Sequence, residues 1–157
     1  NEEGGIEKIG PVNPSYAVDG NGTLSQSREK KRTVILNFLT WFMDLNIPVI
    51  VQHPVPEVGW EVRDYLHKIY LKDGLLPESI STKYDVFVKR NQFIIEVLNS
   101  LEQREFFIPL RPSNIFCNTF IEGRCLAYIN KKIFYDDNDH LNILGADMVI
   151  MNVADKL

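Results

Sequence analysis

The sequence predicts an α/β domain of three layers, α/β/α, with helices on both faces of a mainly parallel sheet. Three observations predict it. Long segments carry apolar residues at three- and four-residue spacing, the mark of helices with one buried stripe. Between them lie short runs that are apolar almost throughout, as strands covered on both faces are. Their order, helix–strand–helix–helix–strand–helix, is that of a layered sheet.

A chain of 157 residues fits one domain, 1–157, with a loop-rich opening over 1–26 and the α/β part over 27–157. At 45% hydrophobic residues it can bury a sizeable core. The net charge is -4 and the basic residues are scattered, which leaves no footprint for nucleic acid. No apolar run approaches the roughly 20 residues that cross a bilayer. The chain opens on Asn1-Glu2-Glu3-Gly4-Gly5 without a signal peptide, and reads as a piece of something longer.

Residues 1–26 are turn chemistry, with Gly10-Pro11 and Asp19-Gly20-Asn21-Gly22. Ser25 or Ser27 then caps a first helix, whose stripe is Val34, Ile35, Phe38, Leu39, Phe42 and Leu45. Asn46 ends it, and Ile47-Pro48-Val49-Ile50-Val51 is the first strand. In open α/β sheets ligands gather beyond the carboxyl ends of strands, so His53, Pro54 and Glu57 are binding candidates by position.

Trp60 to Leu71 reads as a second helix, broken by Gly74 and Pro77. Ser81 or Thr82 caps a third, with Asp85 as an acidic capping-box partner. Glu105 to Leu110 is the second strand, with Pro109 marking its end or a sheet edge. The last helix is capped by Asn142 and turns Leu144, Met148, Val149, Met151 and Val153 inward. Two strands are few for a free-standing sheet, so part of the fold is expected upstream of Asn1. The unpaired edge left behind would invite self-association.

Cys117 and Cys125 are the only cysteines. The segment between them reads as a polar loop with a glycine turn, which a disulfide would close; two reduced core thiols are the other reading. Phe134-Tyr135-Asp136-Asp137-Asn138-Asp139-His140-Leu141-Asn142 is the richest stretch chemically. His140 follows Asp137 by three residues, close enough for the carboxylate to bond one imidazole nitrogen and leave the other to take a proton. A solvated acidic loop with a surface histidine is the plainer reading. Asp136, Asp137, Asp139 and His140 also offer ligands to a divalent cation, but the spacing of an EF-hand is absent and no metal is expected.

Val49-Ile50-Val51-Gln52-His53-Pro54-Val55-Pro56-Glu57, the paired Cys117 and Cys125, Ile133 to Leu141, and Gly145-Ala146 occur in an order that resembles an SGNH hydrolase-like domain. The resemblance is to its C-terminal part, in the version fused behind membrane acyltransferase-3 domains that O-acetylate lipopolysaccharide and other surface glycans. It implies a flavodoxin-like sheet and a Ser-His-Asp triad, with His140 as general base and Asp137 as the carboxylate that orients it. Asp136 and Asp139 would be further, solvated acid whose field raises the His140 pKa, opposed by the start of the last helix.

The nucleophile departs from that pattern. No Gly-Asp-Ser stretch occurs in the chain, and its serines sit in turns, caps and helix ends. An incomplete domain lacking its N-terminal strand and nucleophile block is therefore expected, inactive by itself. The resemblance further implies an upstream membrane acyltransferase domain as partner, which handles the acetyl donor, and a carbohydrate acceptor. No cofactor is expected in this chain. The compartment would be periplasmic or otherwise extracytoplasmic, where Cys117–Cys125 stays oxidised. Tyr16, Trp60 and Tyr135 are sugar-stacking candidates. A non-catalytic glycan- or protein-binding module of the cell envelope is the alternative function.

Overall fold

The structure, a computed structural model, describes residues 24–152 and Ala154. Of the opening read as loop-rich, residues 1–23 with Tyr16 lie outside the described residues, whereas 24–26 already belong to α1; Val153, read as part of the last helix's apolar face, lies outside them too. The order of elements is α1 (Leu24–Asp44), β1 (Val49–Gln52), α2 (Val62–Asp73), β2 (Ser79–Lys83), α3 (Tyr84–Asn99), β3 (Phe107–Leu110), α4 (Ser113–Phe116), β4 (Arg124–Ile129), β5 (Lys132–Ile133) and α5 (Ile143–Met151).

The α/β class holds. Both strands read from the sequence pair in parallel, β1 with β3, in a register that sets Val49 opposite Phe107 and Gln52 opposite Leu110. Three further strands form a second sheet in the order β2-β4-β5, antiparallel throughout. Ser79-Ile80-Ser81-Thr82-Lys83 alternates half-buried and buried residues, the period of a strand. Its hydroxyls resemble capping residues, yet Thr82 is buried in the sheet and Lys83 precedes α3 without a side-chain cap. Ser81 and Thr82 are therefore not caps. Likewise Ser25 and Ser27 lie inside α1 rather than ahead of it.

β4 supplies Cys125, Leu126, Ala127 and Tyr128, all buried, as the middle strand of its sheet. Leu126, Ala127 and Tyr128, with Phe116, Phe134, Tyr135, Val58 and Val62, make up much of the larger core, while Cys125 joins Cys117 and Phe87 in a smaller cluster. A second core joins Leu39 and Met43 of α1 to Leu98, Leu101 and Phe107. The inward face of α1 is thus Ile35, Leu36, Leu39 and Met43. Val34, Phe38 and Leu45, read as part of the buried stripe, are exposed. From Val34 to Met43 the helix is apolar on nearly every side, so spacing alone could not choose its buried face. Leu144 and Met151 of α5 are exposed as well, whereas Val149 is buried.

Cys117 and Cys125 form a disulfide across an antiparallel bridge, their Cα atoms 3.9 Å apart. It ties the end of α4 to the start of β4 beside Phe87. Closing a short loop of this kind stabilises by about 2–3 kcal/mol. Cys117→Ser with Cys125→Ser should therefore lower stability by about that amount in urea denaturation. Unchanged midpoints would contradict it.

Candidate active site

The loop between β5 and α5 is closed at its base by main-chain bonds. Tyr135 and Leu141 pair as an antiparallel bridge, and the Asp136 N–H donates to the His140 carbonyl at 2.9 Å. The Asn142 side chain caps α5 by accepting from the Gly145 N–H at 3.0 Å, while its amide donates to the Ile133 carbonyl at 2.8 Å. Gly145 is required here, because a Cβ would stand 2.4 Å from the Phe134 carbonyl oxygen. The helix start and the strand end are thereby held in contact, and the residues between them must turn sharply.

Asp137 organises that turn. Its Oδ1 accepts the N–H groups of Asp139 and His140 at 2.9 and 2.7 Å, an Asx turn. The bend brings the His140 ring back, and Nδ1 lies 2.8 Å from Asp137 Oδ2. An ionised carboxylate only accepts, so the proton belongs on Nδ1 and Nε2 is left as the basic nitrogen. Asp139 adds a second acceptor, its Oδ1 3.0 Å from the same Nδ1. The side chain of His140 is 76% exposed and open to a reacting partner.

These contacts set the electrostatics. Asp137 is held well below the usual carboxylate range, first by the two backbone N–H bonds and then by His140. The hydrogen bond to Asp137 and the charges of Asp137 and Asp139 raise the pKa of His140. Asp136 turns away to pair with Arg63 at 2.9 Å. Of the two acids read as solvated, one has a cation and the other faces the imidazole.

A raised His140 pKa has a definite sign. Free imidazole at Nε2 appears only as pH rises through a value above 6.5, so proton abstraction should grow across that range. An NMR titration of the ring should give a midpoint above 6.5 that falls in Asp137→Asn and, by less, in Asp139→Asn. A midpoint at or below 6.5 in the unaltered chain would overturn this account.

The loop after β1 is the second wall. The N–H groups of Val58 and Gly59 both donate to the Asn138 carbonyl, at 2.8 and 3.1 Å. The Tyr135 hydroxyl donates to the Pro56 carbonyl at 2.5 Å. Two stretches singled out in the sequence, 53–57 and 134–142, are therefore docked on one another. Their side chains behave differently from the binding roles assigned by position. Tyr135 is 1% exposed, and burial raises its hydroxyl pKa, so it is a core residue unable to stack on a sugar.

Glu57 pairs with Arg90 at 3.0 Å, a contact that takes up its carboxylate. His53 continues the parallel pairing through its N–H to the Leu110 carbonyl at 2.8 Å, but its ring is buried. Burial, and then Arg111, push its pKa down to about 4, with Glu102 opposing, so it is neutral at physiological pH. His53 Nε2 and Trp60 Nε1 are buried without a hydrogen-bond partner among the described residues. The ring of Trp60 packs edge-on against Tyr65 at 6.0 Å.

The spacing of Asp137 and His140 is legible in the sequence, as is the field of Asp139 on His140; its direct contact with Nδ1 was not, since adjacency to a histidine does not say where a carboxylate points. Asp137, Asp139 and His140 also bring ligand atoms within 4.8 Å of one another.

The family model for the SGNH domain (fused to AT3 domains) matches residues 8–155. No curated protein matches the chain, and no solved structure does.

Proposed function

The chain belongs to the SGNH domains that are fused to AT3 domains, a family of acyltransferase/esterase type, and on that premise we propose that its Asp137–His140 pair is the base half of an O-acyltransferase centre. The observation that carries the reading is the 2.8 Å bond from Nδ1 to Asp137 in a His140 side chain that is 76% exposed.

In this mechanism a serine from a Gly-Asp-Ser segment outside these 157 residues supplies the nucleophile. Its hydroxyl attacks the acyl carbonyl carbon as His140 Nε2 takes the hydroxyl proton. The acyl–serine bond forms, and the donor's leaving group departs with that proton. In the second half a sugar hydroxyl attacks the acyl-serine; His140 accepts its proton and returns one to the serine oxygen. Asp137 holds the ring in one tautomer and offsets the charge that it gains. The acyl donor is handled by the membrane acyltransferase domain of the same polypeptide, and the acceptor is a surface polysaccharide.

An extracytoplasmic setting agrees with the Cys117–Cys125 disulfide and with fusion to such a domain. Among the described residues no helix is long and apolar enough to cross a membrane.

The test is the acetyl content of the glycan in cells whose only copy of the complete polypeptide carries Asp137→Asn. A clear loss at unchanged protein level supports the reading. Unchanged acetylation would instead favour a glycan- or protein-binding module. The isolated chain, with the base but no Gly-Asp-Ser, should not turn over p-nitrophenyl acetate; turnover abolished by His140→Ala would show a nucleophile within it.

A further inference from the structure

Three carboxylates stand close to His140 in the chain, and they are not held alike. Asp137 and Asp139 both reach Nδ1, at 2.8 and 3.0 Å. Asp136 is placed to do the same. Tyr135 and Leu141 pair across the ribbon with the Tyr135 ring buried, so by alternation Asp136 and His140 face one another on its outer side. The bond from the Asp136 N–H to the His140 carbonyl fits that pairing. Partners so placed have Cβ atoms roughly 4.5–5.5 Å apart, within reach of each other's side chains. Yet the Asp136 carboxylate lies instead on Arg63 Nη2, at 2.9 Å.

We propose that Arg63 is a positioning residue for this centre: it holds the Asp136 carboxylate away from the imidazole and leaves His140 Nδ1 to Asp137 and Asp139. The role rests on the reading of His140 as general base. Arg63 stands in the first turn of α2, just past the clamp formed by Val58 and Gly59 on the Asn138 carbonyl. The entry to α2 thus grips both chain neighbours of Asp137, one by its side chain and one by its main chain.

Released, Asp136 would oppose the chemistry in two ways. A third negative charge beside the ring favours the imidazolium, which has no lone pair with which to take a proton. A carboxylate that reached Nε2 would also accept its N–H and engage the one nitrogen that serves as base. Arg63 prevents both, and its own cation acts in the same sense. Of the charged groups on neighbouring elements, Glu57 in the loop after β1 is taken up by Arg90 at 3.0 Å. On α5 the charged residue is Asp147, more than a turn beyond the helix start. As an exposed ion pair, Arg63–Asp136 adds little to stability. Its effect lies in where it keeps a charge.

The experiment is an NMR titration of the His140 ring in the 157-residue chain, carried through a double-mutant cycle. Arg63→Gln should raise the midpoint by about half a unit. Asp136→Asn should lower it by more in the Arg63→Gln background than in the parental chain, because only there does the carboxylate lie on the imidazole. Both side chains are more than half exposed, so thermal melting should be unchanged. An unmoved midpoint in Arg63→Gln overturns the proposal. Equal shifts from Asp136→Asn in the two backgrounds also overturn it, reducing Arg63 to a fixed charge. In the complete polypeptide, the rise of acetylation with pH should move upward in Arg63→Gln and return when Asp136→Asn is added. The titration itself needs no acyl transfer. It can fail while Asp137→Asn still abolishes acetylation, or hold while acetylation ignores Asp137, so the two readings fall separately.

Discussion

Replacing His140 with alanine should lower acyl transfer by the complete polypeptide about 10²- to 10⁴-fold, the span lost with a general base. The fold should be untouched, because the side chain is 76% exposed and its bonds lie within its own loop. Thermal melting would therefore be unchanged while the acetyl content of the glycan collapses. Asp139→Asn should do something different: Asp137 still anchors Nδ1, so activity persists and its rise with pH begins at lower pH. The two variants separate proton abstraction from its tuning. Acetylation within a fewfold of the parental level in His140→Ala would remove the histidine from the chemistry.

The second large effect is on stability. Gly145→Ala should cost about 3 kcal/mol, since its methyl would press on the Phe134 carbonyl at 2.4 Å and on Leu141 at 3.1 Å. In a domain of this size that lowers Tm by roughly 6–12 °C. The Phe134 oxygen cannot swing away freely, because it accepts the Asn142 N–H at 3.0 Å. Relief must come from moving α5 off the strand, which opens the turn holding Asp137 and His140. Gly123→Ala provides the contrast. That residue has φ of 70° and meets nothing within 4 Å, so its cost is the backbone's alone, about 1–2 kcal/mol. Equal melting temperatures for the two variants would show that the close approach at Gly145 is unimportant.

Much of this was readable in the sequence, for reasons that differ by element. β1 was visible because Val49, Ile50 and Val51 are apolar regardless of face, although Ile50 is exposed and the strand is not covered on both sides by the described residues; Asn142 was visible because a cap works through its own side chain. Asp137 and His140 were visible because three residues is the span of an Asx turn. The antiparallel sheet was hidden. β2 mixes serine, threonine and lysine, which resemble a helix start until β4 is there to pair with them. β4 was absorbed into the loop that its cysteine, Cys125, closes. The buried face of α1 was misread because Phe38 and Leu39 differ in surroundings and not in polarity. Tyr135 was misassigned for a related reason: an aromatic beside a catalytic motif has the same letter whether it lines a site or supports one.

The clamp on Asn138 has a bearing on how such loops diversify. Val58 and Gly59 grip its carbonyl oxygen, a group that every amino acid carries. What the residue bears beyond its Cα is therefore released from the task of holding the turn. A position directly between the two partners of the proton-transfer pair can change in size and polarity to suit whichever acceptor arrives, while the main chain keeps the pair in register.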